Sequence, residues 1–172
     1  GLANRESCNL SEVFLPNVES EEEFVDITRL LYKVQKAVAA MPYLDRESDE
    51  ITSQNMRLGL GVTGIAQAHD KLGWLDTGYV SLREFDRIWS KENGWPYSKR
   101  LTTVKPSGTL SLLAGVTPGV HPGYSRYHIR RVRMSVGDPL LQYCADKGYN
   151  VAWVKNLDGT VSDRTKLVEF PC

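Results

Sequence analysis

The stretch Thr102–Ser111 constrains the fold of this chain more than any other part of its sequence. β-Branched residues precede Pro106, a Ser-Gly-Thr turn follows it, and an apolar segment typical of a helix begins at Leu110. Such a strand–turn–helix directs backbone N–H groups, hydroxyls and the positive end of a helix at one point. The pattern predicts a phosphate-type anion site formed by Ser107, Gly108, Thr109 and Ser111. An ordinary turn whose serine caps a helix is the alternative.

Composition excludes several classes of protein. The chain has 172 residues, enough for one domain with a core, and a formal net charge of +0, so no basic field favours a nucleic-acid partner. No apolar run approaches membrane-spanning length, so we expect no membrane partner. The three cysteines, Cys8, Cys144 and Cys172, lie far apart without a C-x-x-C pair. This usage favours a reducing, cytoplasmic location and argues against a metal site.

Hydrophobic periodicity and capping signals predict alternating strands and helices, and therefore an α/β architecture. Ser20 and Glu23 form a capping-box start for a helix whose apolar stripe is Phe24, Ile27, Leu31, Val34 and Val38. A second helix containing Ile65, Ala68 and Leu72 is predicted to stop at Gly73, and 45–55 is predicted as loop. The remaining expectations are strands at 8–15, 57–62, 127–134, 150–154 and 165–170, and helices at 82–92 and 138–146.

Two patterns suggest ligand sites that we reject on context. Gly59–Gly64 matches G-x-G-x-x-G, but the preceding residues 49–55 are polar and supply no buried strand, as a dinucleotide fingerprint requires. We interpret Gly59 and Gly61 as strand positions where another part of the chain approaches closely. The acidic residues 19–23 suit the N-terminus of a helix better than a metal site.

Three further strings extend the argument beyond the Thr102–Ser111 stretch. They are Glu-Ser-Cys-Asn-Leu-Ser-Glu-Val at 6–13, Gly-Val-Thr-Pro-Gly-Val-His-Pro at 115–122, and Tyr-His-Ile-Arg-Arg-Val-Arg at 127–133. Together they resemble the adenosylcobalamin-dependent (class II) ribonucleotide reductases, most closely the monomeric ribonucleoside-triphosphate reductase branch. Four blocks occur in the family's order, at 8–15, 57–66, 101–133 and 166–171, and they are distributed over most of the length of the chain.

The resemblance implies a fold larger than this chain. In that family a ten-stranded α/β barrel surrounds a finger loop. Residues 1–172 are then a single fragment of the catalytic barrel domain that begins just after the finger loop. Because an incomplete barrel leaves open strand edges, we expect this fragment to need the remainder of the barrel as a partner.

The resemblance also assigns roles to residues. Ser107, Gly108, Thr109 and Ser111 are expected to hold the substrate phosphates, and Gly119, Val120 and His121 to form a second substrate-side loop. Cys8 is expected to be one half of the redox pair that delivers electrons; a buried small hydrophobe is its alternative role. A loop histidine such as His121 often makes only local hydrogen bonds. Cys144 is expected to be structural, Cys172 receives no role, and Lys105 either adds positive charge or is a solvated surface residue.

The strand at 127–134 carries arginines on both faces, Arg131 and Arg133 on one and Arg126 and Arg130 on the other. Charge pairing, or contact with phosphate or corrin amide groups, accounts for this pattern. A solvated edge strand accounts for it equally well.

The activity implied for the complete enzyme is reduction of ribonucleoside triphosphates to 2′-deoxyribonucleotides by a cobalamin-initiated thiyl radical. Its cofactor is then adenosylcobalamin, and its partners a deoxynucleoside-triphosphate effector and thioredoxin. The family's Asn-x-Cys-x-Glu motif does not occur in residues 1–172, so the isolated chain is predicted to be inactive. The alternatives are a reductase of another class on the same fold, and a non-catalytic nucleotide-binding or split-protein module.

Overall fold

The structure is a computed structural model that describes residues 1–123 and 125–172. It divides into two compact units, Gly1–Gly123 and Tyr124–Cys172. Each unit has a hydrophobic core of its own.

The first unit contains a parallel sheet and four helices. Its elements are β1 Asn9–Phe14, α1 Glu21–Ala39, α2 Arg46–Asn55, β2 Leu58–Thr63, α3 Gly73–Glu92 and the short α4 Leu110–Ala114. Strands β1 and β2 pair in parallel, with Asn9 opposite Leu58 and Phe14 opposite Thr63. A third extended segment, 100–103, runs parallel beside β2: Leu60 bridges Thr102, and the Thr103 N–H donates to the Leu60 carbonyl at 3.0 Å.

Helices α1 and α3 cover one face of this sheet and form the core with it. Fully buried members are Val13, Leu15, Phe24, Tyr32, Leu58, Leu60 and Leu82. The stripe predicted for α1 is correct at Phe24, which is buried, and at Ile27 and Leu31, which are partly buried and pack against the core. Val34 and Val38 are instead 56% and 41% exposed. The buried face of α1 is instead completed by Thr28, Tyr32, Gln35, Lys36 and Ala39. A helix face chosen from apolar residues alone is therefore rotated from the face that is buried.

On the opposite face of the sheet, neighbouring side chains lie very close to the backbone of β2 at its two glycines, Gly59 and Gly61. A Cβ atom on Gly59 would overlap the Leu10 side chain, and one on Gly61 would lie 3.0 Å from the Lys105 Cβ. The predicted close approach at these two glycines is confirmed. This close packing accounts for the glycines at positions 59 and 61 without a dinucleotide site.

Two predictions of secondary structure in the first unit are wrong. Residues 46–55 form helix α2, whose start is capped by the Asp45 side chain accepting from the Ser48 N–H. Gly73 begins helix α3 and ends no preceding helix, because residues 65–71 form two short 3-10 turns. The polar composition of α2 hides it from a search for apolar periodicity.

The second unit is a three-stranded antiparallel sheet with one helix. Its elements are β3 Ile129–Ser135, α5 Pro139–Asp146, β4 Asn150–Lys155 and β5 Val161–Pro171, in the sheet order β3-β5-β4. Leu141 and Cys144 of α5 pack on Val168 of β5, so Cys144 is structural as predicted. Strand β3 lies at the sheet edge, and Arg131 pairs with Glu169 at 2.8 Å.

The mixed α/β architecture predicted from the sequence is confirmed. The described residues form two separate sheets and no closed barrel. Among these residues, no helix is both long and apolar enough to cross a membrane.

Candidate functional site

The carboxyl ends of the three parallel segments meet at one edge of the first unit. Strand β1 ends at Phe14, β2 ends at Thr63, and the segment after Thr103 leads into the turn 105–109. In open parallel sheets this edge is where ligands bind, because loops that leave neighbouring strands converge there. The candidate site is built from these loops.

Ser107 occupies an unusual position in the turn. It has a φ of 44°, in the left-handed region that a residue with a Cβ adopts at a cost of about 1–2 kcal/mol. Its side chain is buried, and its Oγ has no hydrogen-bond partner among the described residues. A strained backbone and an unpaired buried hydroxyl are both costly, and they occur together at functional positions.

The other predicted residues of the turn differ in exposure. Gly108 and Thr109 are exposed, whereas Ser111 is buried on α4. The Ser111 N–H donates to the Ser107 carbonyl at 3.3 Å, and the Ser111 carbonyl accepts from Val116 at 3.0 Å. The structure therefore brings Ser107, Gly108 and Thr109 together as one turn and places Ser111 beneath it as support.

The second predicted loop contacts the first through Gly119. This glycine is buried with a φ of 55°, and a Cβ there would overlap the carbonyl oxygen of Lys105. The Gly119 carbonyl accepts hydrogen bonds from the N–H groups of Gly64 and Ile65 at 3.1 and 3.3 Å. The two loops and the end of β2 are thus joined at Gly119.

The remaining residues of the second loop are open to solvent. Val120 is 43% exposed and the imidazole of His121 is exposed. The His121 N–H donates to the Pro118 carbonyl at 3.1 Å and closes a tight turn. Nearby, the Thr117 Oγ1 is buried without a partner among the described residues.

A partly buried ion pair that contains Lys105, two residues before Ser107, was missed by sequence reasoning. The Lys105 ammonium donates to the Glu12 carboxylate at 2.8 Å, with side-chain exposures of 17% and 4%. The Thr63 hydroxyl donates to the other Glu12 oxygen. Lys105 is therefore not a solvated surface residue. Its partner stands 93 positions earlier, so no local pattern reveals the pair.

Cys8 lies at the other end of the same strands, immediately before β1. Its thiol lines a cleft of about 420 Å³ that also contains Arg57, Arg100, Thr102 and Thr103. Burial raises the pKa of the Cys8 thiol, the Glu6 carboxylate raises it further, and the Arg57 guanidinium partly offsets both. The structure does not bring Cys8 to the turn at 107–109, and the thiol is protonated at neutral pH.

Several hydrogen-bond donors stabilise the charged form of the Glu6 carboxylate, which lies near Cys8. Burial would raise the pKa of Glu6, but hydrogen bonds from the Ala3 N–H, Asn55 and Arg57 bring it below its ordinary value. The Arg57 Nε lies 2.7 Å from the Glu6 Oε1. The Cys8 environment is therefore built by the chain before β1 and by the residues that precede β2.

A second buried network joins α1, α3 and the segment 96–98. The Lys36 ammonium donates to Asp86 at 3.1 Å, to the Pro96 carbonyl at 2.7 Å and to the Ser98 hydroxyl at 2.8 Å. Asp86 also accepts from the Tyr32 hydroxyl at 2.7 Å and from the Ser98 N–H at 3.0 Å. These hydrogen bonds hold Pro96 and Ser98 in place. The same segment continues into residues 100–103, which run beside β2 and lead to the turn.

Comparison with solved structures shows that this architecture is similar to part of a ribonucleotide reductase. A crystal structure of a B12-dependent (class II) ribonucleotide reductase superposes with a TM-score of 0.79 and 30% sequence identity, over 99% of this chain and 28% of that one. No protein-family model matches the chain.

Curated relatives agree with the structural match. The adenosylcobalamin-dependent ribonucleoside-triphosphate reductase of Euglena gracilis is 40% identical over 179 residues, 99% of this chain and 24% of the relative. The Lactobacillus leichmannii enzyme of the same name is 31% identical over 203 residues, 99% of this chain and 27% of the relative. A probable enzyme of this kind from Dictyostelium discoideum is 34% identical over 156 residues, 87% of this chain and 21% of the relative.

The chain thus spans about a quarter of the length of the curated relatives it matches. The resemblance inferred from its motifs is confirmed. The chain is homologous to one segment of the class II, adenosylcobalamin-dependent ribonucleotide reductases.

Proposed function

We propose that residues 1–172 form a substrate-binding part of an adenosylcobalamin-dependent ribonucleoside-triphosphate reductase, and that the turn Ser107–Thr109 holds the triphosphate of the substrate. The observation that carries this proposal is the buried Ser107 hydroxyl, which lacks a partner among the described residues and sits on a left-handed backbone. An incoming phosphate oxygen would satisfy that hydroxyl.

The position of the turn supports the same ligand. It lies at the carboxyl edge of the parallel segments, and its next residues, Gly108 and Thr109, are exposed. Hydrogen bonds to a charged phosphate contribute about 1.5–3 kcal/mol each, more than bonds between neutral groups. Two hydroxyls and the amides of one turn are enough to orient a triphosphate.

Two further roles belong to the proposal. The loop with Gly119, Val120 and His121 is proposed to be a second substrate-side loop, and the close packing of Gly119 on the Lys105 carbonyl supports that role. Cys8 supplies one of two thiols whose oxidation to a disulfide releases two electrons and two protons to the substrate. Because the thiolate is the reactive form, the raised pKa of Cys8 makes its deprotonation part of that step.

The cofactor is proposed for the full-length protein. The relatives are named adenosylcobalamin-dependent. Residues 1–172 correspond to about a quarter of the length of those relatives, so no step through the cofactor is derived from this chain.

The remaining partners are proposed on the same basis. They are the rest of the ten-stranded barrel, a deoxynucleoside-triphosphate effector and thioredoxin, in the cytoplasm. Residues 1–172 without an Asn-x-Cys-x-Glu motif are proposed to bind nucleotide but not to reduce it. Triphosphate binding without reduction by the full-length protein would instead favour the non-catalytic module.

The test is steady-state ribonucleoside-triphosphate reduction by the full-length protein that contains this sequence, with adenosylcobalamin and a dithiol reductant. Ser107→Ala and Thr109→Ala are each expected to raise KM about tenfold to a hundredfold, because each removes a hydrogen bond to a charged group. Ser53→Ala is the matched control, since the exposed Ser53 hydroxyl donates only to the Glu50 carbonyl within its own helix. An unchanged KM in both turn variants would contradict the phosphate site.

A further inference from the structure

Three residues from three parallel segments meet through hydrogen bonds to one carboxylate. Glu12 comes from β1, Thr63 from β2, and Lys105 from the segment beside β2. One Glu12 oxygen accepts from Thr63 and the other from Lys105 at 2.8 Å. The carboxylate is thus held from both sides, and the charge of Lys105 is directed at Glu12.

An ion pair removed from water adds little net free energy to the stability of a fold. Removing two charges from water costs about as much as their attraction returns, and apolar side chains of similar size are often as stabilising. A buried pair does fix geometry, because both partners lose much when they separate. The place of this pair therefore matters more than its net energy.

That place is the start of both candidate loops. Only Pro106, whose φ is fixed by its ring, stands between Lys105 and Ser107. The Lys105 carbonyl is also the group against which Gly119 packs. Holding the Lys105 side chain consequently sets the position of the Ser107 turn and of the Gly119 loop together.

We propose that Glu12 is a positioning residue for substrate, which acts with Thr63 through Lys105 to preset the turn Ser107–Thr109 for a triphosphate. This inference rests on the proposed function of that turn. It assigns Glu12 no contact with the nucleotide, and it distinguishes Lys105 as an anchor from Lys105 as a direct phosphate ligand.

Glu12→Gln separates these two roles because they predict effects of opposite sign. The variant removes a negative charge near an anion site, so a Lys105 that binds phosphate directly would be released and KM would fall. If Glu12 positions the turn, KM for the ribonucleoside triphosphate rises about tenfold while kcat changes by less than about threefold. Glu50→Gln is the matched control, since it makes the same change in an exposed pair with Arg46.

Amide hydrogen exchange supplies a readout that does not depend on turnover. The Gly64 and Ile65 amides, which donate to the Gly119 carbonyl, are expected to exchange about tenfold faster in Glu12→Gln, while amides within α1 are unchanged. Should Glu12→Gln fail to fold, Thr63→Val removes only the second donor and is expected to give the same changes at smaller size. Lys105→Arg, made in the protein that retains Glu12, keeps a positive charge in the pair, and its KM is expected to stay within about threefold of the wild-type value.

Each outcome decides the matter. A higher KM with faster exchange at Gly64 and Ile65 supports the inference. A KM that is unchanged or lower, or unchanged exchange at these two amides, overturns it while the proposed function stands if Ser107→Ala still raises KM. A wild-type protein that reduces no ribonucleotide overturns the proposed function and this inference with it.

Discussion

Two of the ion pairs in the first unit, Lys36–Asp86 and Lys105–Glu12, differ in how completely they are enclosed. Lys36 and Asp86 are 0% and 3% exposed, and their network closes on itself between α1, α3 and the segment 96–98. Lys105 and Glu12 are 17% and 4% exposed, and Lys105 is two residues before Ser107, whose hydroxyl has no partner among the described residues. A network that satisfies itself holds architecture, whereas one that borders unpaired groups leaves hydrogen-bonding capacity for a ligand.

The ionisation of the enclosed pair follows from its surroundings. Burial would raise the pKa of Asp86, but hydrogen bonds from Tyr32, the charge of Lys36 and the Ser98 N–H bring it below its ordinary value. Burial lowers the pKa of Lys36, and Asp86 opposes that change. Burial also raises the pKa of the Tyr32 hydroxyl, with Asp86 adding to the rise, so Tyr32 remains a donor at any ordinary pH.

The largest effect is expected from breaking the enclosed pair. Asp86→Ala leaves the Lys36 charge buried and unpaired and is expected to lower the free energy of unfolding by about 3–5 kcal/mol. Urea unfolding followed by circular dichroism measures this loss. Glu50→Ala, which breaks an exposed pair, is the control and is expected to cost less than about 1 kcal/mol. Equal losses in the two variants would remove the distinction between enclosed and open pairs.

The same pair should give a pH dependence of known sign. The folded pKa of Asp86 lies below its unfolded value of about 3.9, so the stability that its ionisation adds is complete above about pH 4 and disappears as the pH falls through the folded pKa. The stability difference between wild type and Asp86→Asn is therefore expected to shrink below pH 4. Unfolding curves of both proteins from pH 2 to 7 measure it, and a difference that grows with acid would refute the sign.

A smaller loss is expected where the two loops meet. Gly119→Ala adds a Cβ that overlaps the Lys105 carbonyl on a backbone with a φ of 55°, and is expected to cost about 2–4 kcal/mol. Gly94→Ala is the matched control, because Gly94 has a φ of 67° but open space around it. It should show the backbone cost alone, about 1–2 kcal/mol. Similar thermal unfolding of the two variants would mean that the loops do not press on each other.

The smallest effect is expected at the turn itself. Ser107→Ala removes a buried hydroxyl that has no partner among the described residues, so the free energy of unfolding should not fall and should rise by up to about 1 kcal/mol. Ser98→Ala removes a hydroxyl that accepts from Lys36, and should cost about 1–3 kcal/mol. A loss at Ser107 as large as the loss at Ser98 would show that its hydroxyl already serves the fold.

Local signals in the sequence correctly predicted the features that depend only on residues close together in the chain, such as helix caps. The Ser20 side chain accepts from the Glu23 N–H at 3.1 Å, as the capping box predicts. The Asp138 side chain likewise caps α5 by accepting from the Leu140 N–H at 2.9 Å. The motif blocks indicated the family because each block is a contiguous string that can be compared without knowledge of the fold.

What the sequence did not reveal depends on residues that meet only after folding. Lys36 and Asp86 are 50 positions apart, and a lysine within a helix is ordinarily assigned to the solvated face. Their pairing explains why α1 buries Lys36 rather than Val34. Helix α2 was not predicted because it has no apolar stripe. Its start is defined by the Asp45 cap. Strain at Ser107 is a backbone property that no residue pattern specifies.

For protein engineering, the contact between Gly119 and the Lys105 carbonyl makes the two loops a single transplantable part. A graft that carried only 105–111 into another scaffold would lose the surface against which its first residue rests. The graft would also need the 117–121 loop and the Gly64 amide that anchors it. Length changes in natural relatives should for the same reason be rare in both loops, or occur in both together.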